Sequence, residues 1–170
     1  MAVKTFTTGE VLTAADTNSY LRNGVIAIFN ETQAAGTQGG SSTTAGWTKR
    51  TLNTTLTNQI SGCSISSSVI TLPAGIYSIL AFSPFMNATN TKLRLRNTSD
   101  STTPLVGISN YSSTSTGTIA VLQGIFTIAS SKNFELQYLV SAAQATYGLG
   151  IATGSENEIY STIFIQQVGA

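Results

Sequence analysis

From residue 47 onward, hydrophobic and polar positions alternate in short runs separated by turn residues, and this period of two predicts strands. The clearest run is 133–140, where Phe134, Leu136, Tyr138 and Val140 fall on one side and Asn133, Glu135 and Gln137 on the other, so this strand has one wet face. Comparable runs place strands at 47–53, 69–72, 76–82, 91–97, 105–111, 118–129, 148–152 and 158–168. Upstream, Val25-Ile26-Ala27-Ile28-Phe29 reads as a buried strand, and residues 34–46, rich in Gly, Ser and Thr, read as a flexible linker or long loop. Turn signals such as Pro73-Ala74-Gly75, Asn97-Thr98-Ser99-Asp100, Ser130-Ser131-Lys132 and Gly154-Ser155-Glu156-Asn157 punctuate the runs. Many strands and no helix beyond Gly24 predict an all-β sandwich or barrel, with the jelly roll a natural candidate.

Two strands are apolar on both faces. In 76–82, Ile76, Leu80 and Phe82 oppose Tyr77, Ile79 and Ala81; in 158–168, Ile159, Ile163 and Ile165 oppose Tyr160, Phe164 and Val168. A two-layer sandwich buries one face per sheet, and large exposed apolar patches are rare on soluble monomers, so the second face is expected to meet another subunit. Tyr77, Ile79, Tyr160, Phe164 and Val168 are the interface candidates.

The N-terminus breaks this pattern. Thr13 followed three residues later by Asp16 approximates a capping box, and Gly24 offers a stop, predicting a short helix over 13–23. A helix this short is marginal by itself in water, so it needs something to dock on. Val11, Leu12, Thr13, Asp16, Tyr20 and Leu21 are the candidate anchor residues. The chain thus divides into an anchor (1–24), a first strand with linker (25–46) and a strand-rich domain (47–170).

Composition narrows the function. At 170 residues the chain holds one sizeable domain and a short appendage, and with 9% charged residues and a net charge of +1 its polar surface comes from Ser, Thr, Asn, Gln and Gly. A near-neutral balance argues against nucleic acid, whose binding rests on many Lys or Arg contacts to phosphate. The densest basic run is Lys92-Leu93-Arg94-Leu95-Arg96, whose alternation puts the three cations on one strand face. A solvated face is the first reading, and a docking site for an acidic partner the second. No stretch is long and apolar enough for a membrane span or a secretion signal, and the single Cys63 can form no internal disulfide, so synthesis in a reducing cytoplasm is expected. Asn-x-Ser/Thr triplets such as those at Asn53 and Asn87 are expected by chance in so Ser/Thr-rich a chain.

Catalytic equipment is sparse. The chain has no histidine, which removes Ser-His-Asp and Cys-His systems and nearly every transition-metal site. Without a histidine partner Cys63 reads as a small buried hydrophobe. Of the seven carboxylates only Glu156 and Glu158 are close in sequence, in a turn where solvation is the first expectation and calcium binding or glycoside hydrolysis remote alternatives. Gly148-Leu149-Gly150 lacks the third glycine and following helix of a dinucleotide site. No enzyme activity, metal or cofactor is expected. Two loops, 87–91 with Asn87 and Asn90 and 109–117 with Tyr111 and Thr114, could face a receptor, Tyr111 stacking on a sugar; solvated turns are the plainer reading.

The segment Thr5-Phe6-Thr7-Thr8-Gly9-Glu10-Val11-Leu12-Thr13-Ala14-Ala15-Asp16-Thr17-Asn18-Ser19-Tyr20-Leu21 resembles a short N-terminal module of tailed-phage tail-fibre, minor-tail and head-fibre proteins. The body resembles the C1q/TNF-like jelly-roll domains of phage surface proteins through runs such as Ile70-Thr71-Leu72-Pro73-Ala74-Gly75-Ile76-Tyr77, Lys92-Leu93-Arg94-Leu95-Arg96-Asn97-Thr98-Ser99-Asp100 and Gly124-Ile125-Phe126-Thr127-Ile128-Ala129. The resemblance implies a ten-stranded jelly roll, a homotrimer and a place on the virion surface. Phe164-Ile165-Gln166-Gln167 stands where it leads one to expect a tryptophan. No heptad run or fibrous repeat separates Gly24 from Trp47, which favours a capsid decoration, cement or head-fibre protein docked on another phage protein; the alternative is the receptor-binding tip of a short tail fibre, recognising a host glycan or protein.

Overall fold

The computed structural model describes residues 7–11, 13 and 24–169. These form β1 (Val25–Gln33), β2 (Thr48–Lys49), β3 (Thr54–Asn58), β4 (Ser64–Ser66), β5 (Val69–Leu72), β6 (Gly75–Phe85), β7 (Thr89–Asn97), β8 (Thr102–Val106), β9 (Asn110–Ser112), β10 (Thr118–Ile128), β11 (Lys132–Val140) and β12 (Glu158–Gly169). The helix expected over 13–23 lies outside the described residues apart from Thr13. Residues 7–10 form a turn, with the Glu10 amide donating to the Thr7 carbonyl at 3.0 Å.

Two antiparallel sheets face each other. One has the order β10-β6-β12-β1-β3, the other β4-β5-β11-β7-β8 with β2 added on β11 and β9 on β7. Alternation decides which residues point inward. Tyr77, Ile79 and Ala81 of β6, Leu122 and Phe126 of β10, Phe29 of β1 and Ile163 and Ile165 of β12 meet Ile70, Leu93, Leu95, Phe134, Leu136 and Tyr138 of the other sheet. Phe126 bridges the layers, its ring 5.8 Å from Tyr77 and 5.3 Å from Phe134. Each such side chain contributes about 1.5–3 kcal/mol by leaving water. Cys63 belongs to this core, and burial pushes its thiol up to about 11.

Several elements differ from the expected ones. β1 pairs with β12 on one side and β3 on the other, so the sandwich takes in Val25–Gln33. The strand expected at 47–53 shrinks to β2, and the one expected at 105–111 is split, β8 ending at Val106 and β9 beginning at Asn110. Residues 148–152 form no strand, because two loops pack there: Gly39 donates to Gly150 O at 3.0 Å and Leu149 to Gly40 O at 3.1 Å. Gly150, at φ +133°, lies so close over the Tyr160 ring that a Cβ would collide with it. Gly24, expected to stop a helix that lies outside the described residues, is also required by close approach, since a Cβ there would sit 2.6 Å from the Gln167 carbonyl oxygen.

One polar strut crosses the core. Arg50, adjoining β2, is fully buried: its Nε donates to Ser161 Oγ at 2.7 Å and its Nη2 to Glu31 Oε2 at 2.7 Å and Tyr160 O at 3.1 Å. Its guanidinium carbon also lies 5.8 Å from the Phe85 ring centre and 6.0 Å from that of Tyr138. Desolvation raises the Glu31 pKa and lowers that of Arg50, each opposed by the attraction of the other.

Candidate interaction surfaces

The outer face of the β10-β6-β12-β1 sheet carries an apolar patch, bordered by Gln123, Thr162, Ser78 and Gln166. Register alignment places Leu80 beside Phe164 and Phe164 beside Ile28, while Val121 flanks Phe82 in the next row. Ile119 and Ile125 on β10 are 58% and 65% exposed, and Ile159 is 57% exposed. Ile108, also exposed, carries the apolar surface around the β10 edge, its amide donating to Val121 O at 3.0 Å.

This arrangement corrects the interface candidates. Tyr77 and Ile79 point into the core, Tyr77 donating its hydroxyl to Pro73 O at 2.8 Å, so the opposite residues of the same strand, Ile76, Leu80 and Phe82, are the ones turned outward. Tyr160 is buried as well, its hydroxyl donating to Thr37 O at 2.6 Å. The cause is a bulge: Glu31 pairs with Ser161 but Thr32 with Ile159, which leaves Tyr160 as the extra residue and turns Ile159 to the outside. Phe164 does lie on the outer face, and Val168 is half-buried near the end of β12.

The four loop candidates come together at one end. Asn90 and Tyr111 are direct cross-strand partners of β7 and β9, the Asn87 amide donates to Ser113 O at 3.1 Å, and Thr114 sits in the adjoining turn. Tyr111 is 60% exposed there. Asn87 and Thr89 both hold φ near +53°, which makes the turn tight and its backbone fixed. Of the anchor candidates, Val11 and Thr13 are exposed, while Leu12, Asp16, Tyr20 and Leu21 lie outside the described residues.

The paired carboxylates separate in role. Glu156 is exposed, whereas Glu158 Oε1 accepts from the amides of Gly36 (3.2 Å), Thr153 (2.9 Å) and Gly154 (2.8 Å), stapling two loops. The Gly154 amide first, and then those of Gly36 and Thr153, hold its carboxyl below the usual carboxylate range. A carboxylate surrounded by donors is a poor proton donor and a poor cation ligand.

The outer face of the second sheet is polar. Lys49, Gln137, Arg94 and Val106 form one row across β2, β11, β7 and β8, with Arg96 beside Glu135 and Lys92 beside Leu139 in the flanking rows. Arg94 lies over Trp47, 4.4 Å from the ring centre, and its Nε donates to Gln137 Oε1 at 2.8 Å. The Gln137 amide in turn donates to Glu135 at 2.7 Å. The pairing of Arg94 with Trp47 was not visible in the sequence, where Trp47 had no assigned role.

No protein-family model matches this chain, and no curated protein does. Among solved structures, it is similar to the globular domain of zebrafish complement 1qA, at 15% identity and a TM-score of 0.51 over 86% of this chain and 98% of that one. It is also similar to murine APRIL, at 10% identity and a TM-score of 0.55 over 84% of this chain and 98% of that one. The likeness is one of fold: the chain is a C1q/TNF-like jelly-roll sandwich.

Proposed function

We propose that the protein is a non-enzymatic bacteriophage virion component, a surface-exposed homotrimer held to the particle by its N-terminal segment and acting as a capsid decoration, cement or head-fibre protein. The observation that carries self-association is the outer face of Ile28, Leu80, Phe82, Val121 and Phe164, which no other described part of the chain covers. The apolar surface is not one self-complementary patch. It has a flat part on β6, β12 and β1 and an edge part at Ile119, Ile125 and Ile108. Face-to-edge contact between different patches is heterologous, and where its rotation closes it gives a ring, which suits three copies better than two. The trimeric state of C1q/TNF-like domains and the phage-like segment Thr5 to Leu21 support the same reading. Counting copies per purified virion tests the location: a number matching the capsid lattice supports decoration, and a handful places the protein on the tail.

The second reading, a receptor-binding tip, is favoured by the convergence of Asn87, Asn90, Tyr111 and Thr114 at one end. If isolated trimers block phage adsorption to host cells, receptor binding displaces decoration.

A further inference from the structure

We infer that the outer face of the second sheet is a binding site for a carboxylated polysaccharide, with the Arg94 guanidinium stacked on Trp47 as its centre. The charge distribution comes first. The described cations are Lys49, Arg50, Lys92, Arg94, Arg96 and Lys132. Arg50 is paired internally with Glu31, Lys132 with Asp100 at 2.6 Å, and Lys49 with Glu135 at 3.7 Å. Lys92, Arg94 and Arg96 remain, with no carboxylate within ion-pair distance among the described residues, and they occupy one strand face in a row about 13 Å long at 3.2–3.4 Å per residue. Among the described residues, this gathers the cations that have no ion pair onto one surface, which they share with the Glu135 carboxylate opposite Arg96.

The centre of the row is pre-organised. The Trp47 ring lies against the Arg94 guanidinium, and Gln137, itself hydrogen-bonded to Glu135, accepts from its Nε. The two terminal nitrogens are left in a fork, which matches a carboxylate bidentately. Lys92 and Arg96 flank it on the same face, about 6.5 Å to either side along the strand, so a linear polyanion laid along β7 passes all three cations. Three cations are too few for a nucleic-acid groove, whose proteins typically neutralise about 6–10 phosphates. The site lies on a sheet face and not at a free edge, so it offers no backbone pairing to an extended peptide, and an acidic peptide held through its side chains alone is the outcome that polyglutamate tests. If the first sheet carries self-association, this face points outward on every copy. The inference does not depend on where in a virion the protein sits, because it is read on the isolated chain.

Binding of the full-length protein to polygalacturonate is measured by calorimetry at low and high salt, with neutral dextran and polyglutamate as comparators. The expected result is saturable binding to polygalacturonate that weakens with salt, none to dextran, and at least tenfold weaker binding to polyglutamate. Arg94→Gln and Trp47→Ala should each weaken binding at least tenfold while circular dichroism and melting confirm folding, and Lys132→Gln, off this face, should leave it unchanged. Trp47→Ala is the discriminating variant, since it removes no charge. Failure to bind polygalacturonate, equal binding to polyglutamate, or full affinity in folded Trp47→Ala would each overturn the proposal.

Discussion

Arg50 shows what a single residue can fix in this fold. A fully buried arginine tied to Glu31, Ser161 and Tyr160 joins the two sheets by bonds that have direction, where the surrounding apolar contacts have none. Arg50→Ala leaves the Glu31 carboxylate buried without its counter-charge and is expected to cost about 3–5 kcal/mol, read in urea unfolding; the double variant Arg50→Met with Glu31→Gln should recover much of that loss. Glu158 gives a pH dependence. Its folded pKa is depressed, so its stabilising effect is complete above the ordinary value of 4.5 and is lost as pH falls through the folded value. Melting temperatures of wild type and Glu158→Gln should therefore differ at neutral pH and converge in acid; a gap that persists in acid would contradict this role. Cys63, buried with its thiol near 11, should react with a thiol reagent at mildly alkaline pH only once the protein is unfolded. None of these roles was legible in the sequence for Arg50 or Glu158, because a lone charged residue reads as solvated by default. Cys63 was legible, since the chain offers it neither a partner cysteine nor a histidine.

Among the elements, legibility follows hydrophobic contrast. β11 was readable because its two faces differ sharply, and the buried apolar core of β1 was readable as a run. β3, Thr-Thr-Leu-Thr-Asn at a sheet edge, and β4, Ser-Ile-Ser, bury too little to leave a pattern. β6 announced two apolar faces but not which of them pointed inward; Tyr77 and Ile79 went to the core and Leu80 and Phe82 outward. The bulge at Tyr160 is set by pairing with β1, a partner more than a hundred residues away, so no local signal marks it. The crowding of Gly150 over Tyr160 explains why a run that alternates acceptably becomes a loop. Gly150→Ala meets both an unfavourable φ and a side-chain collision, and a loss of about 1–3 kcal/mol in unfolding free energy is expected. An unchanged stability would show that the two loops are free to move apart.

At the scale of the whole molecule, the two sheets divide the surface into an apolar face and a polar, cationic one. The sequence carried the all-β jelly-roll class through its many short strands and turn signals. It carried the expectation of a partner through the doubly apolar strands. Which residues of those strands turn outward required the register. The most direct measurement is the solution mass of the purified protein by light scattering, alongside Leu80→Asp and Phe164→Asp, which place a charge at the centre of the apolar face. Wild type is expected at three times the mass of one chain, with both variants folded and shifted to single chains. A wild type that stays monomeric at high concentration, or variants that remain trimeric, would contradict the assignment of this face to self-association.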